Sequence, residues 1–410
     1  MSFRSLGISE QWAEKLDGLR IVSPTPIQQD SIPHVLRGRD VVGQAQTGTG
    51  KTLAFVLPIV EKLDPAKEHV QALIVAPTRE LAIQITEEVL KLTEGTGVHT
   101  LAVYGGQDVL AQMHRLEGTV HIIVATPGRL LDHVRRETVS LDRVETVVLD
   151  EADQMLHIGF LSDIELILDE TPSQRQTLLF SATMPDEVRD LSERFMNNPL
   201  HIKVKSETVT VKEIRQRILE TTDRAKQGDL MSAIRQLRPF MAIIFCRTKR
   251  RVSKLNEALQ EHGFNSDELH GDMSQAKRED VMKRFRKCEV QFLIATDVAA
   301  RGIDVDGITH VFNYDIPHDA ESYIHRIGRT GRAGSEGLAV TFVGRKDDEF
   351  LREIENAAGM KLKPLVLDKH EKKSADSDGN SNEKPRNFAR GRTRSRQGNK
   401  EEQYRRKPRR

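Results

Sequence analysis

The chain has 410 residues, 38% of them hydrophobic and 30% charged, which is enough for two domains of ordinary size plus a tail. No apolar run approaches the roughly 20 residues needed to span a bilayer as a helix, and "MSFRSLGISEQWAEKL" lacks the basic-then-apolar order of a signal peptide. The only cysteines, Cys246 and Cys288, form no C-x-x-C and have no His-rich partner segment, which argues against a disulfide framework or zinc site and for a reducing cytoplasm.

The net charge of +1 hides an asymmetry. Residues 384–410 hold 12 Lys+Arg against 2 Glu, which leaves 50 basic against 59 acidic residues, about −9, on residues 1–383. An acidic body is expected to bind through placed contacts, and a basic tail to attract polyanions without specificity.

In chain order, the first half contains the apolar runs "DVVGQA", "ALIVAPT", "TLAVYGG", "HIIVATP", "TVVLDE" and "TLLFSAT", each ending in small or polar residues as buried parallel strands do. Between them, segments such as "RELAIQITEEVLKL" carry helical periodicity. The series predicts βαβ units and an open parallel sheet with ligands at the strand C-termini. The pattern lapses at "VKSETVTVKE", which predicts a linker at 206–213 between a domain over 1–205 and a second over 214–365. That second series reads "MAIIFCRT", "NSDELHGD", "QFLIATD", "THVFNYD" and "LAVTFVG", with no second G-K-[ST]. Residues 366–410 have almost no apolar content and read as a disordered basic tail.

"AQTGTGKT" nearly matches the phosphate-binding loop G-x-x-x-x-G-K-[ST], with Ala45 in place of the first glycine. The backbone of Ala45, Gln46, Thr47, Gly48, Thr49 and Gly50 is expected to surround phosphates, Lys51 to reach the β- and γ-phosphates, and Thr52 to hold Mg²⁺. Such a loop needs a carboxylate from another strand. "TVVLDEAD" offers Asp150 for the metal and Glu151 as the base that polarises the attacking water. "SPTPIQQ" predicts a helix start with Thr25 as N-cap, Pro26 at N1 and Gln28 at N3. Arg326, Arg329 and Arg332 recur at i, i+3, i+6, on one face if that block is helical.

"DEAD" at 150–153, "SAT" at 181–183 and "HRIGRTGR" at 325–332 resemble the DEAD-box RNA helicase family. So do "PTPIQ", "PTRELA", "GG" at 105–106, "TPGR", "IIFCRT", "QAKR" and "ATDVAARGID", in the family's order over residues 3 to 332. The Ala45 variant is that family's own form of the loop. The resemblance implies two tandem RecA-like α/β domains and an ATP-dependent RNA helicase with ATP and Mg²⁺ as cofactors, of bacterial type. It also implies that Gln28 reads adenine and that Phe3, 17 residues before Arg20, stacks on the ring, although Arg20 stands where the family usually has glycine. Asp304 is implied to hold the ribose, Arg329 and Arg332 to act as arginine fingers, and His325, Ser181 and Thr183 to couple the acidic block to domain closure. Two changes just past the acids, Gln154 and His157, are expected to matter little.

RNA contacts implied by the resemblance are Thr78, Arg79, Gly105, Gly106, Thr126, Gly128 and Arg129 in the first domain, with Arg247, Thr248, Gln275, Arg278 and Thr296 in the second. These residue types suit phosphate and backbone contact, and with aromatics at only 5% a base-stacking channel is not expected, so RNA would be held with little sequence specificity. The preference for RNA over DNA rests on the resemblance. A tail that tethers RNA, and ribosomal or RNA-decay assemblies as partners, fit the same reading; no membrane partner is expected. Competing readings are a DNA translocase, an ATP-gated RNA clamp whose hydrolysis only times release, and an RNA chaperone acting through its tail.

Overall fold

The structure is a computed structural model that describes residues 1–367 except 47, 107–108, 117, 205–213, 301–302, 304 and 332–335. The expected linker and tail therefore lie outside the described residues, apart from Val366 and Leu367, of which Leu367 packs against the hydrophobic core.

Seven strands build the first sheet: β1 (Val41–Gln44), β2 (Ala72–Val75), β3 (Thr100–Val103), β4 (Ile122–Ala125), β5 (Thr146–Asp150), β6 (Gln176–Ser181) and β7 (Leu200–Lys203). Their order is β3-β4-β2-β5-β6-β1-β7, and every pairing is parallel. Strands β2, β4, β5 and β6 are buried along their whole length, because helices cover both faces of the sheet. One core cluster holds Phe55, Ile74 and Phe180; another, on the opposite face, holds Leu73, Val147 and Leu179.

The second sheet comprises β8 (Arg215–Glu220), β9 (Met241–Phe245), β10 (Ser266–Leu269), β11 (Phe292–Ala295), β12 (Ile308–Asn313), β13 (Leu338–Val343) and β14 (Lys363–Pro364). Its order, β10-β11-β9-β12-β13-β8-β14, is that of the first sheet with seven added to each number, and it too is parallel throughout. The two lobes thus share one topology, the tandem RecA-like architecture expected from the motifs.

Strand order divides the C-terminal edge of the first sheet into two halves. Neighbours β5, β6 and β1 end in the acidic block, the Ser-Ala-Thr block and the glycine-rich loop, and register pairs Gln44 with Ser181 and Asp150 with Phe180. Neighbours β3, β4 and β2 end in the Gly105–Gly106, Thr126 and Thr78–Arg79 blocks. The second lobe repeats the division: Gln275, Thr296 and Arg247 follow β10, β11 and β9, whereas His325 and Arg329 follow β12.

Candidate nucleotide cleft and nucleic-acid face

Lys51 begins the helix Lys51–Lys62 directly after a loop in which Gly48 and Gly50 adopt φ of 80° and 86°. Only glycine enters that region without steric cost, so the loop can turn its N–H groups inward. Ala45 needs no such freedom. Its N–H donates to the Ser181 carbonyl at 3.0 Å, continuing the strand pairing, and its methyl is buried in the core. Thr49 Oγ1 donates to the Gln46 carbonyl at 2.7 Å, closing the loop on itself.

The Lys51 side chain is buried, and its Nζ has no hydrogen-bond partner among the described residues. An orphan ammonium is costly unless an anion satisfies it. It borders a cavity of about 420 Å³ whose lining includes Gly48, Gly50, Lys51, Thr52, Glu151 and Arg329 together with the apolar Leu19, Ile21, Leu81 and Leu92. Burial pushes Asp150 up to about 7; the nearby Lys51 charge opposes this and Glu151 reinforces it. Half-buried Glu88 lines the same cavity and is also pushed up to about 7, by burial first and by Asp150 in part. Crowded carboxylates beside an orphan lysine are the donor set that a polyphosphate with a divalent cation would satisfy, so the residues fit Mg²⁺–ATP.

Glu151 is a non-glycine residue at φ 52°, just before the helix Ala152–Ile158. Holding it there costs about 1–3 kcal/mol, a strain that surrounding structure sustains where side-chain aim matters. Arg329 enters the cavity from the second lobe, where its Nε donates to the His325 carbonyl at 3.1 Å and its Nη1 to the Ile303 carbonyl at 2.9 Å. Arg326 faces elsewhere: its guanidinium forms a two-pronged pair with Asp297 at 2.5 and 2.7 Å and donates to the Asp315 carbonyl, so it ties the second lobe together. Thr47, Asp304 and Arg332 lie outside the described residues.

The coupling residues meet across the lobes. The Ser181 hydroxyl accepts from the Asp153 N–H at 3.2 Å, and Thr183 donates from both N and Oγ1 to Asp153 Oδ2 at 2.8 Å. Thr183 Oγ1 also lies 3.2 Å from Glu321 Oε1 of the second lobe. His325 is reached by Gln154, whose Nε2 is 2.6 Å from Nδ1. The residue expected to matter little is therefore an inter-lobe contact. Its place one step beyond the acidic block, on the same helix turn, was the available signal.

Gln28 Oε1 accepts from the Thr25 N–H at 2.9 Å, as the capping pattern predicts, and its Nε2 donates to the Gly50 carbonyl at 2.9 Å. Its amide thus clamps the phosphate loop. Phe3 is buried among Leu6, Ile8 and Trp12 and is not among the residues lining the cavity; Leu19 and Ile21 are. Arg20 adopts φ 62°, the conformation that glycine takes without strain.

On the other half of the edge, Thr78 caps the helix Arg79–Thr93 by accepting from the Leu81 N–H at 3.3 Å. A Cβ on Gly106 would lie 2.3 Å from Arg79 Nη1, and one on Gly105 would lie 3.1 Å from Nη2, so both glycines make room for that guanidinium. Gly128, in the first turn of the helix Pro127–Arg135 that follows Thr126, faces open space, and Arg129 Nη1 donates to Gln112 Oε1 at 2.9 Å. Arg247 is exposed, with its N–H held by Asp315 Oδ2, and Thr248 caps the helix Lys249–Glu261. Thr296 sits half-buried at the end of β11. Two of the expected RNA contacts instead face partners in the other lobe: Gln275 Oε1 accepts from Arg79 Nη1 at 3.2 Å, and Arg278 Nη2 pairs with Glu80 Oε1 at 2.6 Å.

The DEAD/DEAH box helicase family matches residues 25–191, and the helicase conserved C-terminal domain matches residues 225–334. The DEAD-box ATP-dependent RNA helicase CshA of Bacillus cereus is 51% identical over 361 residues, which cover 88% of this chain and 69% of CshA. The chain belongs to the DEAD/DEAH box helicase family. Among solved structures, S. cerevisiae Dbp5 bound to RNA and ADP BeF3 aligns with TM-score 0.82 at 31% identity, covering 89% of this helicase and 95% of Dbp5. A Dbp5 variant bound to gle1 and IP6 aligns with TM-score 0.71 at 30% identity over the same shares of the two chains. The lobes of this helicase are thus arranged more like those of the RNA-bound relative.

One consequence concerns Gly50 of this helicase. A methyl there would meet Gln28 Nε2 at 2.5 Å and Thr25 Oγ1 at 3.0 Å, on a backbone at φ +86°. Gly50→Ala is expected to weaken nucleotide binding about tenfold, the equivalent of about 1.4 kcal/mol, since a non-glycine residue in this region costs about 1–2 kcal/mol. Titration with a fluorescent ATP analogue checks this; unchanged affinity would mean that the loop does not need this geometry.

Proposed function

We propose that the protein is an RNA-stimulated ATPase that closes its two lobes on an RNA backbone, locally separates short duplexes and uses hydrolysis to let go. The observation that carries this reading is the split cavity. The orphan Lys51 and strained Glu151 come from one lobe and Arg329 from the other, so the hydrolytic centre is complete only when the lobes close. Lys51 would grip the β- and γ-phosphates, and Arg329, together with Arg332, would stabilise charge developing on the γ-phosphoryl group. Thr52 and Asp150 would hold Mg²⁺, which when bound neutralises phosphate charge. Glu151 would orient and deprotonate the attacking water. Gln28 would read adenine, and Asp304 would hold the ribose.

The residues that follow the strands on the opposite half of each sheet edge would contact the RNA backbone: Thr78, Arg79, Gly105, Gly106, Thr126, Gly128 and Arg129 from the first lobe, with Arg247, Thr248 and Thr296 from the second, and with Gln275 and Arg278 exchanging their present partners for RNA. Because these groups suit phosphates and not base edges, binding would show little sequence preference. Ser181, Thr183 and His325 would link occupancy of this face to the nucleotide side. We place the lobe boundary at 206–213, assign RNA tethering to the basic residues beyond 366, and take a cytoplasmic setting among ribosomal or RNA-decay assemblies as the fitting context.

Any ligand that bridges both lobes must raise ATP turnover, and ATP must reciprocally tighten that ligand. Steady-state hydrolysis with Mg²⁺ is therefore expected to be low alone, strongly stimulated by single-stranded RNA, and not stimulated by DNA of the same sequence. Equal stimulation by DNA would favour a translocase, and no stimulation by either would overturn the split-site reading.

A further inference from the structure

We infer that the cavity beside Lys51 is also the way out for inorganic phosphate, which leaves between the helices Lys51–Lys62 and Arg79–Thr93, past Lys91, while the lobes are still closed on RNA. The inference rests on the reading above that hydrolysis takes place in the closed clamp.

The cavity reaches well beyond the hydrolytic centre. Leu81, Gln84, Glu88 and Lys91 all line it and recur at i, i+3, i+7 and i+10, so one face of the helix Arg79–Thr93 forms its long wall. Those ten steps rise about 15 Å at 1.5 Å per residue. Both helices begin at the C-terminal edge of the first sheet, after β1 and β2, so this wall runs from the level of the phosphate loop down to Lys91. The lining passes from buried to open. Lys51 is 6% exposed and Glu151 and Arg329 5%, Gln84 and Glu88 are half-buried, and Lys91 and Leu19 stand exposed, Leu19 at 42%. Gln28, proposed above to read the base, is not among the lining residues, which sets this stretch apart from the base site.

After cleavage the phosphate lies between Lys51 and Arg329. Departure across the seam requires the second lobe to withdraw, because Arg329 belongs to it. Every other lining residue, from Leu19 to Glu151, belongs to the first lobe, so the stretch between the helices is open to the product without lobe movement. Its charge also suits an anion. Lys91 acts electrostatically on Glu88, three residues before it, so the ammonium offsets the carboxylate and draws phosphate toward the opening. Phosphate therefore leaves first, and reopening and RNA release follow.

The test mixes the full chain with ATP, Mg²⁺ and dye-labelled single-stranded RNA. It follows cleavage by chemical quench, free phosphate by a fluorescent phosphate-binding sensor, and RNA release by the dye. Phosphate is expected to appear after cleavage and before RNA release. Lys91→Glu should slow its appearance about tenfold, or until it coincides with RNA release, because the sign of one exposed charge is reversed. The cleavage step should be unchanged. Lys91→Arg should restore the rate, and the difference should shrink at high salt, which a loss of packing would not do. Phosphate that appears no earlier than RNA release in the unsubstituted protein, or at an unchanged rate in Lys91→Glu, overturns the exit alone. Cleavage that RNA does not stimulate overturns the closed-clamp reading and the exit with it.

Discussion

Glu151→Gln is expected to slow RNA-stimulated ATP hydrolysis by about 10²–10⁴-fold, the range for removing a positioned general base, while leaving ATP-dependent RNA binding intact. The amide keeps the shape and burial of the side chain and removes only its capacity to take a proton. Glu151 is buried, lines the cavity with Lys51 and Arg329, and holds a left-handed backbone that aims it there. Gln accepts that conformation no worse than Glu, so the fold should persist. With hydrolysis blocked and closure unimpaired, the complex should accumulate with RNA trapped. Single-turnover hydrolysis and RNA dissociation, measured on the same preparation, separate the two effects. Hydrolysis at the unsubstituted rate would remove Glu151 from the role of base. Loss of RNA retention together with hydrolysis would assign it to closure.

The second large effect is expected at the lobe interface. Arg278 and Glu80 pair at 2.6 Å with less than a tenth of either residue exposed, and they belong to different lobes. Burial alone pushes the Glu80 carboxyl up, and the Arg278 charge opposes that shift. Removing one member of a buried pair costs about 3–5 kcal/mol because the other is left uncompensated. Here the cost falls on the closed form, since opening the lobes returns both groups to water. Arg278→Ala should therefore lower the closure constant by about 10²- to 4 × 10³-fold, a figure that follows from that cost at 1.4 kcal/mol per decade. The readout is the RNA concentration that half-stimulates hydrolysis, which should rise by a similar factor while nucleotide affinity without RNA is unchanged. Glu80→Ala should act likewise. The double variant should be less impaired than the two losses summed, because it leaves no stranded charge. Additive losses would mean that Arg278 works through RNA and not through Glu80.

Much of this molecule is determined by its sequence. Strands β1–β6, β9 and β11–β13 coincide with apolar runs, because a strand covered on both faces must be largely apolar, whereas β10, "SDEL", was legible from its place in the second series. Strands β7, β8 and β14 escaped. "LHIK" alternates apolar with polar residues, "RQRILE" has only two apolar residues, both lie near the sheet margin, and Lys363–Pro364 is too short to show a period. The helix start at Thr25 was equally legible, since capping chemistry is local. So was the phosphate loop, whose function depends on a few consecutive backbone conformations that Gly48 and Gly50 permit.

The tertiary structure alone decided what lies beside what. Chain order does not reveal that β6 inserts between β1 and β5, which sets Ser181 between the loop and the acids. It does not reveal that one permutation of strands, used twice, sends the glycine-rich loop, the acidic block and the Ser-Ala-Thr block to one half of the first edge and the Thr78–Arg79, Gly105–Gly106 and Thr126 blocks to the other. Nor does it show that Arg278 turns to Glu80, or that Gln154 reaches His325, contacts that span 198 and 171 residues of chain. Local conformation is fixed by neighbours in sequence, so it can be read there. The hydrolytic and coupling contacts join residues that only the parallel sheet topology and the closing of two lobes bring together, so no local pattern records them.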